Sequence, residues 1–471
     1  MIDWRFYLSL ITAKLTAFVL KSFHKGATAA PGLYAQKIDK NILKKLARQL
    51  KFSILVSGTN GKTTTTRILS SILKQANIKY SHNRAGSNLE RGIISQLIKH
   101  HHLKNYLGLW EVDEAALPLV IEKIQPKIII LLNLFRDQLD RYGEIDTLAK
   151  KWLTALKKLP KETTIILNAD DPTIAWLGKQ VNCKVIYFGI RDELLGGEAL
   201  THASDATFCP TCLLPLKYRT CFISHLGIYE CLKCGSIQPK LDLKAEKVSF
   251  TQENTTLLKL DDNPETNQLI INLIGNYNVY NTLAAFASAQ LLNINIDNIK
   301  EGIKLFKPAF GRLETINFKD KQLKILLVKN PTGFNETIKA VLQSVNKNSF
   351  SCLLVLNDLI ADGRDVSWIW DVDLETLVNN PNLKKIIVSG IRAEDMATRI
   401  KYANFQFSIF RPKDDQPRAG NFQLEKKLEK AINNLLISQT KDLFILSTYT
   451  AMLEVRKILN KRGLVHSTWK D

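Results

Sequence analysis

Apolar residues along the first part of the chain fall into short runs separated by stretches with helical spacing. The runs Phe52–Ser57, Tyr106–Val112, Lys127–Asn133, Thr163–Asn168 and Lys184–Phe188 are rich in β-branched residues and predict strands. Between them, patterns such as Ile68, Leu69, Ile72 and Leu73 within 64–74 place apolar side chains on one helix face. Such alternation predicts a parallel sheet with crossover helices. From about Leu200 to Leu241 the pattern breaks: cysteines come in pairs and Pro210, Pro215 and Gly235 mark turns, so this stretch reads as an inserted module. Helical spacing returns in 280–292 and 299–306. A second α/β block begins near Gly311, with strands expected at 324–328, 350–356, 384–388 and 442–446. Asn330-Pro331 and Asp362-Gly363 lie just beyond two of these strands, where α/β folds place ligand sites. The division expected is a helical segment 1–45, an α/β domain 46–310 carrying the insertion at about 200–241, and an α/β domain 311–471.

Trp4–Phe23 is apolar enough to suggest a membrane span or a signal peptide. Lys14 interrupts it and Lys21 follows, so no stretch reaches the roughly 18 uncharged residues a span needs. The start Met1-Ile2-Asp3 is acidic, unlike that of a signal peptide. Lys14, Lys21 and Lys25 share one helical face, which suits a helix lying on protein or on anionic lipid. Packing on protein is the favoured alternative, and the chain is expected to be cytoplasmic, with the inner face of the membrane as a secondary location. Apolar residues make up 45% and charged residues 23%, which excludes a disordered chain. The net charge of +20 admits nucleic acid, a membrane surface or an anionic substrate. No Arg/Lys run with interleaved aromatics appears, so nucleic acid is not expected.

Between the first strand and its helix lies Gly58-Thr59-Asn60-Gly61-Lys62-Thr63, followed by Thr64. Glycines let backbone amides approach an anion, and the helix N-terminus adds partial positive charge. Lys62 is placed to reach terminal phosphates of ATP and the Thr63 hydroxyl to ligate magnesium. The strict phosphate-loop pattern has a further glycine where Val56 stands. The competing reading is a glycine turn with a chance Lys-Thr. Cys209-Pro-Thr-Cys212 and Cys231-Leu-Lys-Cys234 are two CxxC knuckles eighteen residues apart, the spacing of a four-thiolate zinc ribbon. With all four positions supplied by protein, such a zinc ion is structural. Cys221 and His225 lie between the knuckles as substitute ligands; disulfides are the alternative for the four thiols.

The loop hexapeptide resembles that of Mur ligases and folylpolyglutamate synthases, and other segments follow in the same order. Glu111 resembles the family's magnesium-binding glutamate, although Glu111-Val-Asp-Glu114 also reads as an acidic turn. Asn133-Leu-Phe-Arg-Asp137-Gln138-Leu-Asp140-Arg141-Tyr142-Gly143 resembles a family segment with histidines where Gln138 and Tyr142 stand, which argues against a second metal site. The lysine that many Mur ligases carbamylate would fall near Trp152, out of register with Lys150 and Lys151. Asn168-Ala-Asp170-Asp171 matches the Asn-x-Asp-Asp turn. Gly275-Asn-Tyr-Asn278-Val-Tyr-Asn281 matches a segment whose asparagines contact the adenine side of ATP, with a helix cap as the alternative. Gly311-Arg312-Leu-Glu314 resembles the Gly-Arg-x-Glu whose arginine touches phosphate. The implied fold is a Mur-ligase-like phosphate-loop, parallel-sheet ATP domain with an inserted four-cysteine zinc ribbon, followed by a Rossmann-like α/β domain.

Ordinary Mur ligases carry no such ribbon. With the ribbon, Lys329-Asn-Pro-Thr-Gly-Phe-Asn335 and Asn357-Asp358-Leu-Ile-Ala-Asp362-Gly-Arg-Asp365-Val-Ser-Trp-Ile-Trp-Asp371, the chain resembles the MurT family, the Mur-ligase-like subunits of lipid II isoglutaminyl synthase. The resemblance implies ATP-dependent amidation of the D-glutamate α-carboxylate of lipid II through an acyl phosphate, with ATP, Mg²⁺ and structural Zn²⁺. It implies a GatD-like glutamine amidotransferase as partner and lipid II as a membrane-linked substrate. It also implies that Asp365 orients the partner's catalytic histidine, against the plainer role of capping a helix that begins near Val366. The competing function is a conventional amino-acid-adding Mur ligase or folylpolyglutamate synthase; a third is an ATP-binding scaffold without catalysis.

Overall fold

A computed structural model describes residues 3–22, 29–83, 88–100, 103–136, 145–197, 200, 203–251, 255–260, 268–273, 275–306, 312–345, 348–408 and 422–465. The chain divides into two compact units, Met1–Phe135 with Glu144–Ala199 and Asp205–Lys307, and Arg136–Gly143 with Leu200–Ser204 and Pro308–Asp471.

The first unit is built on β1 (Phe52–Ser57), β2 (Tyr80–His82), β3 (Leu107–Glu111), β4 (Ile128–Leu131), β5 (Thr164–Asn168) and β6 (Lys184–Ile190). A hairpin of β7 (Lys217–Ile223) and β8 (Leu226–Glu230) follows, then β9 (Leu243–Ala245), which rejoins the sheet. The order is β2-β3-β1-β4-β5-β6-β9, with all pairings parallel. Ile54 and Val56 of β1 enter one apolar core and Leu55 the opposite one, and β4 divides its residues likewise. A strand buried on both faces is nearly continuous in apolar residues, which is why these strands read as runs and not as alternation. Helices Lys62–Gln75, Asn276–Leu291 and Ile296–Lys304 cover one face. Helices Glu90–Leu97, Leu117–Ile124, Ile145–Leu156 and Pro172–Gly178 cover the other. After β1 the chain runs to one side of the sheet and after β4 to the other. A crevice opens at the carboxyl ends of these adjacent strands, where such folds bind nucleotides. A three-stranded antiparallel sheet, β10 (Lys247–Phe250), β11 (Thr256–Lys259) and β12 (Gln268–Ile271), completes the unit.

The second unit contains β13 (Arg312–Phe318), β14 (Lys321–Leu327), β15 (Phe350–Val355), β16 (Leu383–Ser389), β17 (Phe422–Leu424) and β18 (Asp442–Ser447). They are ordered β13-β14-β18-β15-β16-β17, parallel except for β13 at one edge. Helices cover both faces here as well. The sequence pattern predicts the four strands β14, β15, β16 and β18 and misses the two edges. The helix expected to begin near Val366 is instead a short 3₁₀ turn, Ser367–Asp371. Among the described residues, no helix is long and apolar enough to cross a membrane.

Candidate active site

The loop from Gly58 to Thr63 leaves β1 and becomes the first turn of the Lys62–Gln75 helix, two residues earlier than the apolar pattern predicts. Gly61 takes a left-handed conformation, φ 92°, and a Cβ there would lie 2.1 Å from Asn281 Oδ1. Both the backbone and the neighbour therefore demand glycine. The loop is fastened to the segment after β4. Asn60 N–H donates to Asn133 Oδ1 at 2.8 Å, Asn133 Nδ2 returns a bond to Asn60 O at 3.1 Å, and Phe135 N–H donates to the Thr59 hydroxyl at 2.9 Å.

Lys62 is buried. Its ammonium donates to Gly58 O at 2.6 Å and Thr59 O at 3.2 Å, and pairs with Glu114 Oε2 at 3.0 Å. A buried ammonium needs such partners, and the pair holds Lys62 folded over the loop. The Thr63 hydroxyl donates to Glu111 Oε1 at 3.0 Å, so a hydroxyl and a carboxylate stand side by side at the start of the helix. Hard oxygen donors of this kind are what magnesium selects, and the residues fit that ion beside phosphates bound in the loop. Asn83, after β2, brackets Glu111: its side chain accepts from Glu111 N–H at 2.9 Å and donates to Glu111 O at 2.8 Å. Trp152, where the family's carbamylated lysine would fall, is fully buried, and its indole N–H donates to Glu114 O at 2.8 Å. Sequence reasoning missed Asn83, the pairing of Glu114 with Lys62, and the service of Trp152 to Glu114. Nothing local marks Asn83; it reaches Glu111 only because β2 pairs with β3.

Asn278 and Asn281 are buried within the Asn276–Leu291 helix, whose N-cap is Gly275, so neither asparagine caps it. Asn281 Oδ1 accepts from the Thr65 hydroxyl at 3.2 Å and borders Gly61, which puts it against the phosphate loop. Asp171 caps the Pro172–Gly178 helix through Thr173 and Ile174 N–H and also accepts from Leu134 N–H at 2.9 Å. Segment 137–144, with Gln138 and Tyr142, lies outside the described residues, as do Gly311 and the side chains of Arg312 and Glu314.

Asp170 is fully buried. It accepts from Tyr280 Oη at 2.6 Å, Ile190 N–H at 2.8 Å and the Gln238 amide, with Arg191 at 3.7 Å. Burial pushes its carboxyl up to about 7 against these donors. The unfolded carboxyl titrates near 4, so between about pH 4 and 7 the native state binds more protons and stability falls as pH rises. An asparagine in its place would mimic the protonated acid. The thermal stability of the wild type relative to Asp170→Asn is therefore expected to be greatest near pH 4 and to decline toward pH 7. A pH-independent difference between the two would remove this assignment.

The four knuckle cysteines converge: their Sγ atoms all lie within 4.8 Å of one another. Cys209 and Cys234 are 3.6 Å apart and Cys212 and Cys231 3.4 Å, far beyond a bonded S–S of about 2.05 Å. Thiolates about 2.3 Å from a central ion would sit about 3.8 Å apart at tetrahedron corners, so the spacing fits zinc. The two knuckles are built alike. Leu213 N–H donates to Cys209 O and Gly235 N–H to Cys231 O, and Leu213 and Gly235 both have positive φ, 60° and 70°. The Ser236 hydroxyl and backbone N–H draw the Cys234 thiol down to about 6, favouring a thiolate. Cys221 and His225 are not part of the cluster. His225 is buried against Phe135 with Nε2 3.6 Å from Asp171.

In the second unit, Asp365 is exposed, and its Oδ1 accepts from Ser367 N–H at 2.8 Å. The loop that presents it is anchored from below. Asp362 is buried and accepts from Thr450 N–H at 2.8 Å, while Asn357 accepts from Ile391 N–H at 3.0 Å. Asn330 caps the Pro331–Val345 helix through Gly333 N–H at 2.8 Å. Trp368 packs on Phe334, whereas Trp370 is half exposed beside Tyr402.

The profile of the Mur ligase middle domain matches residues 56–221, and that of the MurT ligase C-terminal region matches residues 327–452. A Streptococcus pneumoniae protein named lipid II isoglutaminyl synthase (glutamine-hydrolyzing) subunit MurT is 33% identical over 460 residues, covering 97% of this chain and 98% of that one. The Staphylococcus aureus (strain COL) protein of the same name is 33% identical over 410 residues, 87% of this chain and 91% of that one. Among solved structures, a pseudomurein peptide ligase type C from Methanothermus fervidus superposes with a TM-score of 0.68 at 23% identity, covering 90% of this chain and 81% of the other. That likeness establishes a Mur-ligase-like α/β fold, and the fold family implies ATP and magnesium. Both identity and coverage favour the amidating reading over a conventional amino-acid-adding ligase. The chain belongs to the MurT family, the Mur-ligase subunits of glutamine-hydrolysing lipid II isoglutaminyl synthases.

Proposed function

We propose that the chain activates the α-carboxylate of D-glutamate in the lipid II stem peptide and that ammonia from a GatD-like glutaminase completes the amide. The carboxylate oxygen attacks the γ-phosphorus of ATP, ADP leaves, and an acyl phosphate forms. Ammonia then forms the C–N bond and inorganic phosphate departs. Phosphoryl transfer needs positioning and neutralised charge more than covalent help. Lys62, released from Glu114, meets the terminal phosphates, and the backbone N–H groups where the loop enters the helix, Gly61 to Thr64, hold the anion. Magnesium, held by Thr63 and Glu111, would offset the charge on the phosphates. Asn281 borders the loop from the helix behind it, Asn278 and Asn281 would contact the adenine side of ATP, and Arg312 adds a phosphate contact.

The observation that carries this reading is the buried Lys62–Glu114 pair beside the Thr63–Glu111 contact, within a chain that matches MurT subunits almost end to end. Asp365, exposed on an anchored loop of the 311–471 domain, would orient the glutaminase histidine. The protein would work in the cytoplasm. Purified chain with its glutaminase subunit should amidate lipid II only when ATP and a nitrogen source, glutamine or added ammonium, are both present, read by mass spectrometry of the stem peptide. Incorporation of a free amino acid instead would overturn the proposal.

Zinc is assigned to Cys209, Cys212, Cys231 and Cys234 as a closed structural site, supported by their mutual spacing. The purified protein should contain one zinc per chain, and Cys231→Ser should lower both zinc content and melting temperature. Metal-free protein of unchanged stability would refute the assignment.

A further inference from the structure

The Trp4–Ser22 helix is apolar on two opposite faces, and only one of them is used. The inner face carries Phe6, Ser9, Leu10 and Ala13; Ser9 and Ala13 are fully buried. Their small side chains let the helix lie close on the Ala30–Ile38 helix, whose Ala35 is buried too. The Ser9 hydroxyl is satisfied within the helix by Phe6 O at 2.7 Å.

On the outer face the pattern repeats without a partner. Trp4, Tyr7, Leu8, Ile11, Leu15 and Phe18 are all exposed, from Leu8 at 44% to Phe18 at 72%. At 100° per residue they fall within an arc of about 100°, a continuous stripe on a rod roughly 28 Å long. Soluble proteins scatter large exposed apolar residues singly; aligned ones mark a surface that something covers. Arg5 lies beyond one edge of the stripe and Lys14 beyond the other, both exposed. The acidic residue of the segment, Asp3, is neutralised by an ion pair with Lys45. An aromatic and aliphatic stripe edged by cations is the make-up of helices that lie in a membrane interface, apolar side down among the acyl chains. The chain's net charge of +20 favours a leaflet of anionic headgroups by long-range attraction.

We infer that the outer face of the Trp4–Ser22 helix seats on the surface of an anionic bilayer, the helix lying parallel to the membrane while its inner face stays on the protein. This inference does not rest on the amidation chemistry, because the stripe, its edges and its support are features of the fold.

The test is flotation of the full chain with phosphatidylcholine vesicles, with and without phosphatidylglycerol. Wild type should float with the phosphatidylglycerol vesicles and release as salt is raised. Trp4→Asn/Ile11→Asn/Phe18→Asn, at exposed positions, should lower the bound fraction by roughly tenfold or more while keeping the wild-type melting temperature. Arg5→Glu/Lys14→Glu leaves the apolar stripe whole, and should weaken binding to phosphatidylglycerol vesicles selectively. Wild type that stays with the protein pellet at low salt, or a triple variant that floats as well as wild type, overturns the inference. So does a triple variant that loses, without any vesicles, a self-association or a hold on the glutaminase that wild type shows, since the stripe would then be a protein interface. Amidation of lipid II in detergent by the triple variant at the wild-type rate would separate the anchoring role from the catalytic one.

Discussion

Lys62→Ala is expected to lower ATP-dependent amidation by about a thousandfold, since the ammonium is the side-chain cation placed on the phosphate loop. The same substitution does a second thing. Glu114 is buried with Lys62 as its ion-pair partner, and removing one member of a buried pair destabilises by about 3–5 kcal/mol. A fall in activity alone would therefore not separate chemistry from folding. Lys62→Ala/Glu114→Gln removes the orphaned charge and should regain most of the melting temperature while remaining inactive. Recovery of amidation with recovery of stability would show that Lys62 is structural. The pairing also has a mechanistic side: a lysine held by Glu114 must exchange that carboxylate for phosphate oxygens when the nucleotide enters, so Glu114→Gln alone should change the apparent affinity for ATP.

Asp365→Asn is expected to lower glutamine-driven amidation by about a thousandfold to ten-thousandfold while ammonium-driven amidation stays within about twofold. Asparagine keeps the Oδ1 acceptor for Ser367 N–H, so the local turn survives and the change isolates the negative charge. The side chain is exposed, so its loss of charge carries little penalty in folding. Equal loss with both nitrogen sources would place Asp365 in the ligase half of the reaction or in the fold. The loop is suited to presenting a residue outward because buried Asp362 and Asn357 hold it to neighbouring backbone N–H groups.

The sequence determined the elements with strong local signals. Strands buried on both faces are nearly continuous in apolar residues, so β1, β3, β4 and β5 are legible as runs. The phosphate loop is legible because its glycines, lysine and threonine must be adjacent in sequence to wrap one anion. The cysteine knuckles are legible for a related reason: each supplies two sulfurs from one turn, and the structure brings all four within 4.8 Å. Edge strands of three residues, β2, β9 and β17, escape because so short a segment carries no periodicity.

What the tertiary structure decided are contacts between residues far apart in sequence. Asn83 brackets Glu111 through strand pairing, Asn281 reaches Gly61 across more than two hundred residues, and Asp170 gathers donors from β6, the cysteine module and a late helix. Asn281 and Asp170 stand in recognisable motifs, yet none of these contacts leaves a local mark, because a buried polar side chain is selected by partners that only the fold supplies. The N-terminal helix makes the same point. Its sequence is apolar nearly all round, which fits a buried core helix, a membrane-surface helix or both. Only packing against Ala30–Ile38 shows which face is consumed and which remains exposed. The phosphate loop thus announces nucleotide chemistry by itself, while the partners that hold Lys62 and Glu111 ready for it exist only once the sheet has formed.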